Sequence, residues 1–80
     1  MPIEFRKNQA LFTEVVSVED AEGLLEWLQK KPGARIDLSA CMHLHPANLQ
    51  VLMAASVAIV AWPADAAFTG WLRSALAAPP

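Results

Sequence analysis

The fold is decided by residues 34–61, which read ARIDLSACMHLHPANLQVLMAASVAIVA. The apolar run at 57–61 is largely β-branched, which is typical of a strand buried on both faces. Proline is favoured at the first position of a helix, so His45-Pro46 predicts a helix start. The expected elements are a strand at 35–38, a loop at 39–44, a helix from 45–46 to about 55, and a strand at 57–61. A strand, a helix and a strand in this order predict two parallel strands joined by a right-handed crossover.

The flanking segments extend this unit on both sides. Ile3 and Phe5 alternate with polar residues, and a second β-favouring run follows at 11–16 after a turn at Asn8 and Gln9. Further elements are a helix over 18–31, capped by Ser17 and stopped by Pro32-Gly33, a last helix starting at 63–65, and a frayed tail at 77–80. The sequence therefore predicts a single α/β domain over 1–80, ordered β-β-α-β-α-β-α, with an open mixed sheet of about four strands packed by three helices.

Helical periodicity predicts which side chains face the core. The inward stripe of the second helix is Leu49, Leu52, Met53 and Ser56, and that of the last helix is Phe68, Trp71, Leu72 and Ala75. Trp27 lies off the centre of the first helix's apolar stripe and is expected to be partly exposed.

Composition and charge exclude several classes of function. The 80 residues carry 6 Lys and Arg against 8 Asp and Glu, a formal charge of −2, which does not suit a binder of nucleic acid or of an anionic membrane. The run at 49–62 is shorter than the roughly 20 apolar residues of a membrane span. One cysteine and no apolar signal core near the N-terminus favour the cytoplasm.

The charges are unevenly distributed along the chain. Residues 1–37 hold twelve of the fourteen, whereas 28 of the last 43 residues are hydrophobic. A domain of this size buries only about 60% of its unfolded surface, so it cannot readily hide so apolar a half. We therefore expect part of this half to contact a partner protein or a second copy of the chain.

Residues 34–39, the helix opening His45-Pro46-Ala47-Asn48-Leu49 and the segment 52–55 together resemble the STAS domain, the fold of bacterial anti-sigma factor antagonists. The resemblance extends by pattern over nearly the whole chain. In members that switch by phosphorylation, an acidic residue, two hydroxyl residues and a glycine open the second helix. Alignment on Leu49 places His45, Pro46, Ala47 and Asn48 at those four positions, so no acceptor hydroxyl remains there.

The resemblance also implies where a partner binds, namely on the second helix and the loop before it. The face of this helix opposite its inward stripe carries small and apolar side chains, which favours docking. The expected partner-binding residues are His43, His45, Ala47, Asn48, Gln50, Val51 and Ala54. The sequence thus predicts a non-catalytic, regulatory interaction module without cofactor, whose partner is an anti-sigma factor-like kinase or a second copy of the chain.

Two alternatives remain open. Some STAS proteins are accessory subunits of bacterial phospholipid transporters, so the partner is alternatively a transporter subunit. Separately, Cys41, His43 and His45 alternate in a way that would place all three on one side of an extended chain, together with Asp37 and Ser39, and thiolate with imidazole suits zinc or copper. Catalysis is not expected, because Asp37 is the only carboxylate close to Cys41 in sequence and there is no glycine-rich phosphate loop.

Overall fold

The computed structural model describes residues 2–31, 33–55 and 57–77. Its elements follow the predicted order: β1 (Ile3–Phe5), β2 (Gln9–Val16), α1 (Asp20–Lys30), β3 (Arg35–Leu44), α2 (Pro46–Ala55), β4 (Ala58–Ala61) and α3 (Ala66–Ala77). The strands form one sheet in the order β1-β2-β3-β4, in which β1 is antiparallel to β2 and the other pairs are parallel. The predicted fold class and element order are therefore confirmed.

The three helices form one layer against the sheet, because α1 contacts α2 and α2 contacts α3. The core lies between this layer and the strands. Its largest fully buried side chains are Phe12, Leu24, Ile36, Leu38, Leu44, Leu52, Leu72 and Val16. At the β1 edge the Trp27 ring is partly buried and packs on Phe5, with 5.1 Å between ring centroids. Trp27 therefore covers the edge of the sheet and is partly exposed, as its position in the sequence indicated.

The expected loop at 39–44 is wrong, since β3 continues through it to Leu44. The ten residues of β3 pair with the eight of β2, and the register shifts twice, once between Leu11 and Thr13 and once between Glu14 and Val15. Each shift lets an extra residue of β3 bulge out of the ladder, which breaks the alternation of inward and outward side chains. Glu14, beside the second bulge, has a φ of 53°, a left-handed conformation that is uncommon for a residue other than glycine.

The expectation that the last strand is buried on both faces is also wrong. Within the described residues β4 is an edge of the sheet, paired only with β3, and Val60 is 48% exposed. Val57 and Ile59 in the apolar run pack against the core cluster, whereas Ala58 and Val60 are exposed, so the run covers the core with one face only. The strand begins at Ala58, one residue later than expected.

The helix boundaries agree with the predictions to within about two residues. Ser17 does not cap α1 as expected. Instead its N–H and its hydroxyl both donate to Asp20 Oδ2, at 2.9 and 3.1 Å, and this turn precedes the helix. Met53 and Trp71 are 42% and 45% exposed, so their predicted inward positions are wrong. The tail expected at 77–80 is wrong at Ala77, which is the last residue of α3. Three expectations lie outside the described residues: the helix stop at Pro32, the inward position of Ser56, and the rest of the tail at 78–80.

Candidate functional site

The candidate site lies at the carboxyl edge of the parallel strands, where β3 ends and α2 begins. His45, between the two elements, is held to the sheet by its N–H, which donates to the carbonyl oxygen of Val16 at 2.9 Å. Open α/β sheets bind ligands and partners at this edge because the loops there are carried on rigid strands. The β3–α2 junction is therefore a fixed platform.

The His45 side chain caps α2. Its Nδ1 accepts a hydrogen bond from the N–H of Ala47 at 3.0 Å, so this nitrogen carries no proton and the neutral ring is protonated at Nε2. The carbonyl oxygen of His45 accepts the N–H groups of Asn48, at 2.9 Å, and Leu49, at 3.4 Å. Pro46 has no N–H to offer. Every N–H of the first helical turn is thus used internally, and the helix start presents no free donor to an anion.

Asn48 does not contact solvent and cannot contact a partner at this surface, contrary to its predicted role. It is fully buried, and its Nδ2 donates to the carbonyl oxygen of Ser17 at 2.7 Å. The amide therefore fastens the start of α2 to the turn before α1. Its Oδ1 is buried without a hydrogen-bond partner among the described residues.

The other predicted docking residues divide into two groups. His43, Gln50 and Ala54 are exposed, while His45, Ala47 and Val51 are half-buried. Val51 packs against the core cluster, so it lies at the margin of the helix rather than on its outward face. Six of the seven predicted residues therefore reach the surface, three of them exposed and three half-buried.

An apolar groove of about 420 Å³ lies beside the helix start, between the β3–α2 junction and α3. It is lined by His43, Leu44, Pro46, Ala67, Phe68 and Trp71. The Phe68 and Trp71 rings stack with 6.1 Å between centroids, and Trp71 remains 45% exposed. Exposed tryptophan in a groove is typical of protein-binding surfaces, where aromatic anchors contribute most of the binding energy.

The start of α3 fixes the position of these aromatic rings. Asp65 Oδ1 accepts the N–H of Phe68 at 2.8 Å, and the hydroxyl of Thr69 donates to the carbonyl oxygen of Pro63 at 2.8 Å. Asp65 therefore caps the start of α3. Phe68 and Trp71 were not expected as site residues, because both fit the core stripe of the last helix. The sequence did offer a signal for the exposure of Trp71. Leu72 is fully buried, and if the inward stripe is centred on it, Trp71 points about 100° away from the core.

The expectation that Asp37, Ser39, Cys41, His43 and His45 share one side of the chain is wrong. Cys41 is 4% exposed, whereas Ser39 and His43 are exposed, because the bulges in β3 turn the side chains out of alternation. Across residues 2–31, 33–55 and 57–77, no three His, Cys, Asp or Glu side chains are grouped so that they could hold a metal ion. Burial raises the pKa of the Cys41 thiol to about 11, and a smaller contribution from the backbone of His43 lowers it.

Asp37 forms a separate polar contact on β3. Its Oδ1 accepts both the hydroxyl, at 2.6 Å, and the N–H, at 2.9 Å, of Ser39. These two hydrogen bonds, with a smaller contribution from the charge of Arg6, hold the pKa of Asp37 below its usual value. The contact spans the first bulge of β3 and stabilises it.

No family model and no curated protein sequence matches this chain. In the part of the chain that the structure describes, no helix has the length and apolar character needed to cross a membrane.

Proposed function

We propose that this protein is a non-catalytic interaction module of the STAS type, which binds a partner protein through the start of α2 and the adjoining groove. The single observation that carries the proposal is the groove itself: apolar, lined by exposed Trp71, and placed next to the helix and junction where the resemblance implies that a partner binds. The fold agrees with the one that the resemblance implies.

The chemistry of the surface favours protein rather than a charged ligand. Neither α2 nor the lining of the groove contains a Lys, Arg, Asp or Glu, and Met53 on the same helix is 42% exposed. Burying such a surface against another apolar surface is favourable by roughly 25 cal/mol for each Å² removed from water. A partner that presents aliphatic side chains, with polar contacts to His43 and Gln50 at the rim, fits this arrangement.

Switching by phosphorylation at the helix start forms no part of the proposal. Pro46 and Ala47 have no hydroxyl, and His45 already occupies the backbone donors that a phosphate would use. The module would act by stoichiometric binding, and its control would come from the amount of protein or partner.

The test is capture of partners from cells by the unaltered protein and by two matched variants. Trp71→Glu places a charge in the groove, and Leu25→Glu places the same charge on α1 at a similar exposure, 43% against 45%. We expect a protein that is retained by the unaltered chain and by Leu25→Glu but lost by Trp71→Glu. That protein, purified, should bind with a stoichiometry of one to one and at least tenfold more weakly to Trp71→Glu.

The identity of the captured protein decides between the two kinds of partner. A sigma-regulating kinase would support the anti-sigma factor antagonist type, and a transporter subunit would support the accessory type. If all three proteins retain the same set, docking at the groove is wrong. Sedimentation equilibrium of the isolated protein covers the remaining possibility, because a dimer that is lost only in Trp71→Glu would make a second copy the occupant.

A further inference from the structure

A second cleft lies at the opposite end of the sheet, where β2 and β3 begin. Its volume is about 500 Å³, and it is lined by Arg6, Lys7, Asn8, Gln9, Gly33 and Arg35. It is therefore bounded by the β1–β2 turn on one side and by the segment between α1 and β3 on the other. The eight residues of β2 place it roughly 25 Å from the apolar groove, at about 3.3 Å for each residue.

The walls of this cleft are held together by the backbone. The N–H of Arg35 donates to the carbonyl oxygen of Asn8 at 2.9 Å, and the N–H of Arg6 donates to the carbonyl oxygen of Gln9 at 2.8 Å. These bonds fix the base of each arginine relative to the other. Gly33, with a φ of +78°, contributes backbone without a side chain, and a Cβ there would meet nothing within 4 Å. A ligand can therefore approach this wall closely.

The charges in the cleft are all of one sign. Three of its six lining residues are cationic and none is acidic. The ion pair found among the described residues joins Arg6 to Glu4 at 3.5 Å, with both side chains more than half exposed, and pairs of this kind contribute little. Lys7 and Arg35 have no carboxylate within pairing distance in the described part of the chain. The lining thus carries three positive charges on a protein whose net charge is −2, and the carboxylates of Glu4 and Asp37 lie near one of them, Arg6.

We propose that this cleft binds a phosphate group, presented either by a soluble phosphoester or by a lipid headgroup. Arginine presents a planar fork that matches two phosphate oxygens, and lysine adds a mobile point charge, so Arg6, Arg35 and Lys7 together suit a dianion. The volume is that of a small-molecule site. A nucleic acid is disfavoured, because a long polyanion would extend beyond the cleft over a surface that is acidic overall.

The first experiment titrates the full chain with inorganic pyrophosphate at constant ionic strength and follows backbone amide chemical shifts. We expect saturable shifts centred on Asn8, Gly33 and Arg35. Arg35→Gln and Lys7→Gln should each weaken binding about tenfold, the loss of one charge-assisted contact. Glu4→Gln should strengthen binding about twofold, because it releases Arg6 from its pair.

The control variants distinguish binding in the cleft from a general effect of net charge on the affinity. Lys30→Gln removes one positive charge from the end of α1, outside the cleft lining, and Glu22→Gln removes one negative charge from the same helix. Neither should change the affinity by more than about twofold, since both side chains are exposed and neither lines the cleft. Absence of saturable binding, or equal losses in Lys30→Gln and Arg35→Gln, would overturn the proposal.

A second arm identifies the source of the phosphate group. Vesicles of phosphatidylcholine with and without phosphatidic acid are sedimented with the protein and with Arg35→Gln. Binding that requires both phosphatidic acid and Arg35 assigns the site to a lipid headgroup. Pyrophosphate binding without vesicle binding assigns it to a soluble phosphoester. Vesicle binding that is unchanged in Arg35→Gln, with no pyrophosphate binding, would show surface attraction only and would contradict the proposal.

Discussion

The side-chain amide of Asn48, in the first turn of α2, donates a hydrogen bond of 2.7 Å to the carbonyl oxygen of Ser17, which lies 31 residues earlier at the end of β2. Asn48 is fully buried while Ser17 is exposed, and their contact joins the starts of two neighbouring helices. A buried amide that makes one specific bond across the fold restricts how α1 and α2 can pack. The position of the proposed docking surface thus depends on a residue that does not belong to that surface.

Replacement of Asn48 by alanine should lower the free energy of unfolding by about 2 kcal/mol, because a buried hydrogen bond is lost and a small cavity remains. Urea denaturation followed by tryptophan fluorescence measures this loss. Gln50→Ala is the control on the same helix, and since Gln50 is exposed its effect should stay within about 0.5 kcal/mol. Equal effects of the two substitutions would show that the Asn48 contact does not stabilise the fold.

The cap at His45 gives a second prediction. His45→Ala should destabilise the protein by about 1 kcal/mol, since the N–H of Ala47 loses its acceptor, whereas His45→Asn should retain most of the stability because asparagine is a good cap. His43→Ala, at the exposed neighbouring histidine, should change the stability little. If His43→Ala and His45→Ala were equally destabilising, the cap would not explain the role of His45.

The order of the elements and most of the core could be predicted from the sequence because each depends on local patterns. Pro46 marks the start of α2, and the spacing of Leu24 and Leu28 marks the buried side of α1. The course of β3 could not be predicted, because two bulges bury Ile36, Leu38, Cys41 and Leu44 at unequal spacings that do not alternate as a strand does. Bulges depend on pairing with β2, which is a long-range property.

The candidate site was predictable only where it lies on α2. Gln50 is exposed as the helical pattern indicated, but the groove also needs Phe68 and Trp71 from α3, about 20 residues later. Their approach to Pro46 depends on how α3 packs beside α2. Successive residues of a helix are rotated by about 100°, so a helical stripe predicts the direction of a side chain only to within about that angle. An error of this size is enough to assign Trp71 to the core instead of the surface.

The contact between Asp37 and Ser39 gives a third prediction. Ser39→Ala removes the 2.6 Å hydroxyl bond, which is the largest cause of the lowered pKa, so the pKa of Asp37 should rise towards its ordinary value. A carboxyl ¹³C NMR titration measures this. Ser17→Ala removes the comparable hydroxyl bond to Asp20 and should leave Asp37 unchanged.

The same contact sets the direction of the acid response. Because the pKa of Asp37 is lower in the folded state than in the unfolded state, its contribution to stability is present above the unfolded pKa. It is lost as the pH falls through the folded pKa. Ser39→Ala should therefore lose less stability than the unaltered protein between pH 5 and pH 2. An identical acid response in both proteins would contradict this role for the bond.

The thiol of Cys41 responds in the opposite direction, at alkaline pH. Burial raises its pKa from 9.0 to about 11. Between these two values the thiol is ionised in the unfolded chain but remains protonated in the folded chain. Cys41 has no effect on the pH dependence of stability below pH 9, and above it the ionisation of the unfolded chain lowers the stability as the pH rises to 11, by up to about 3 kcal/mol at 1.36 kcal/mol for each pKa unit. Cys41→Ala should lack this part of the pH dependence, as urea denaturation at pH 7, 9 and 10.5 would show.

Because the Cys41 side chain is buried, the folded protein should react with Ellman's reagent at pH 8 only as fast as it unfolds. Rapid reaction of the folded protein would mean that the thiol is accessible.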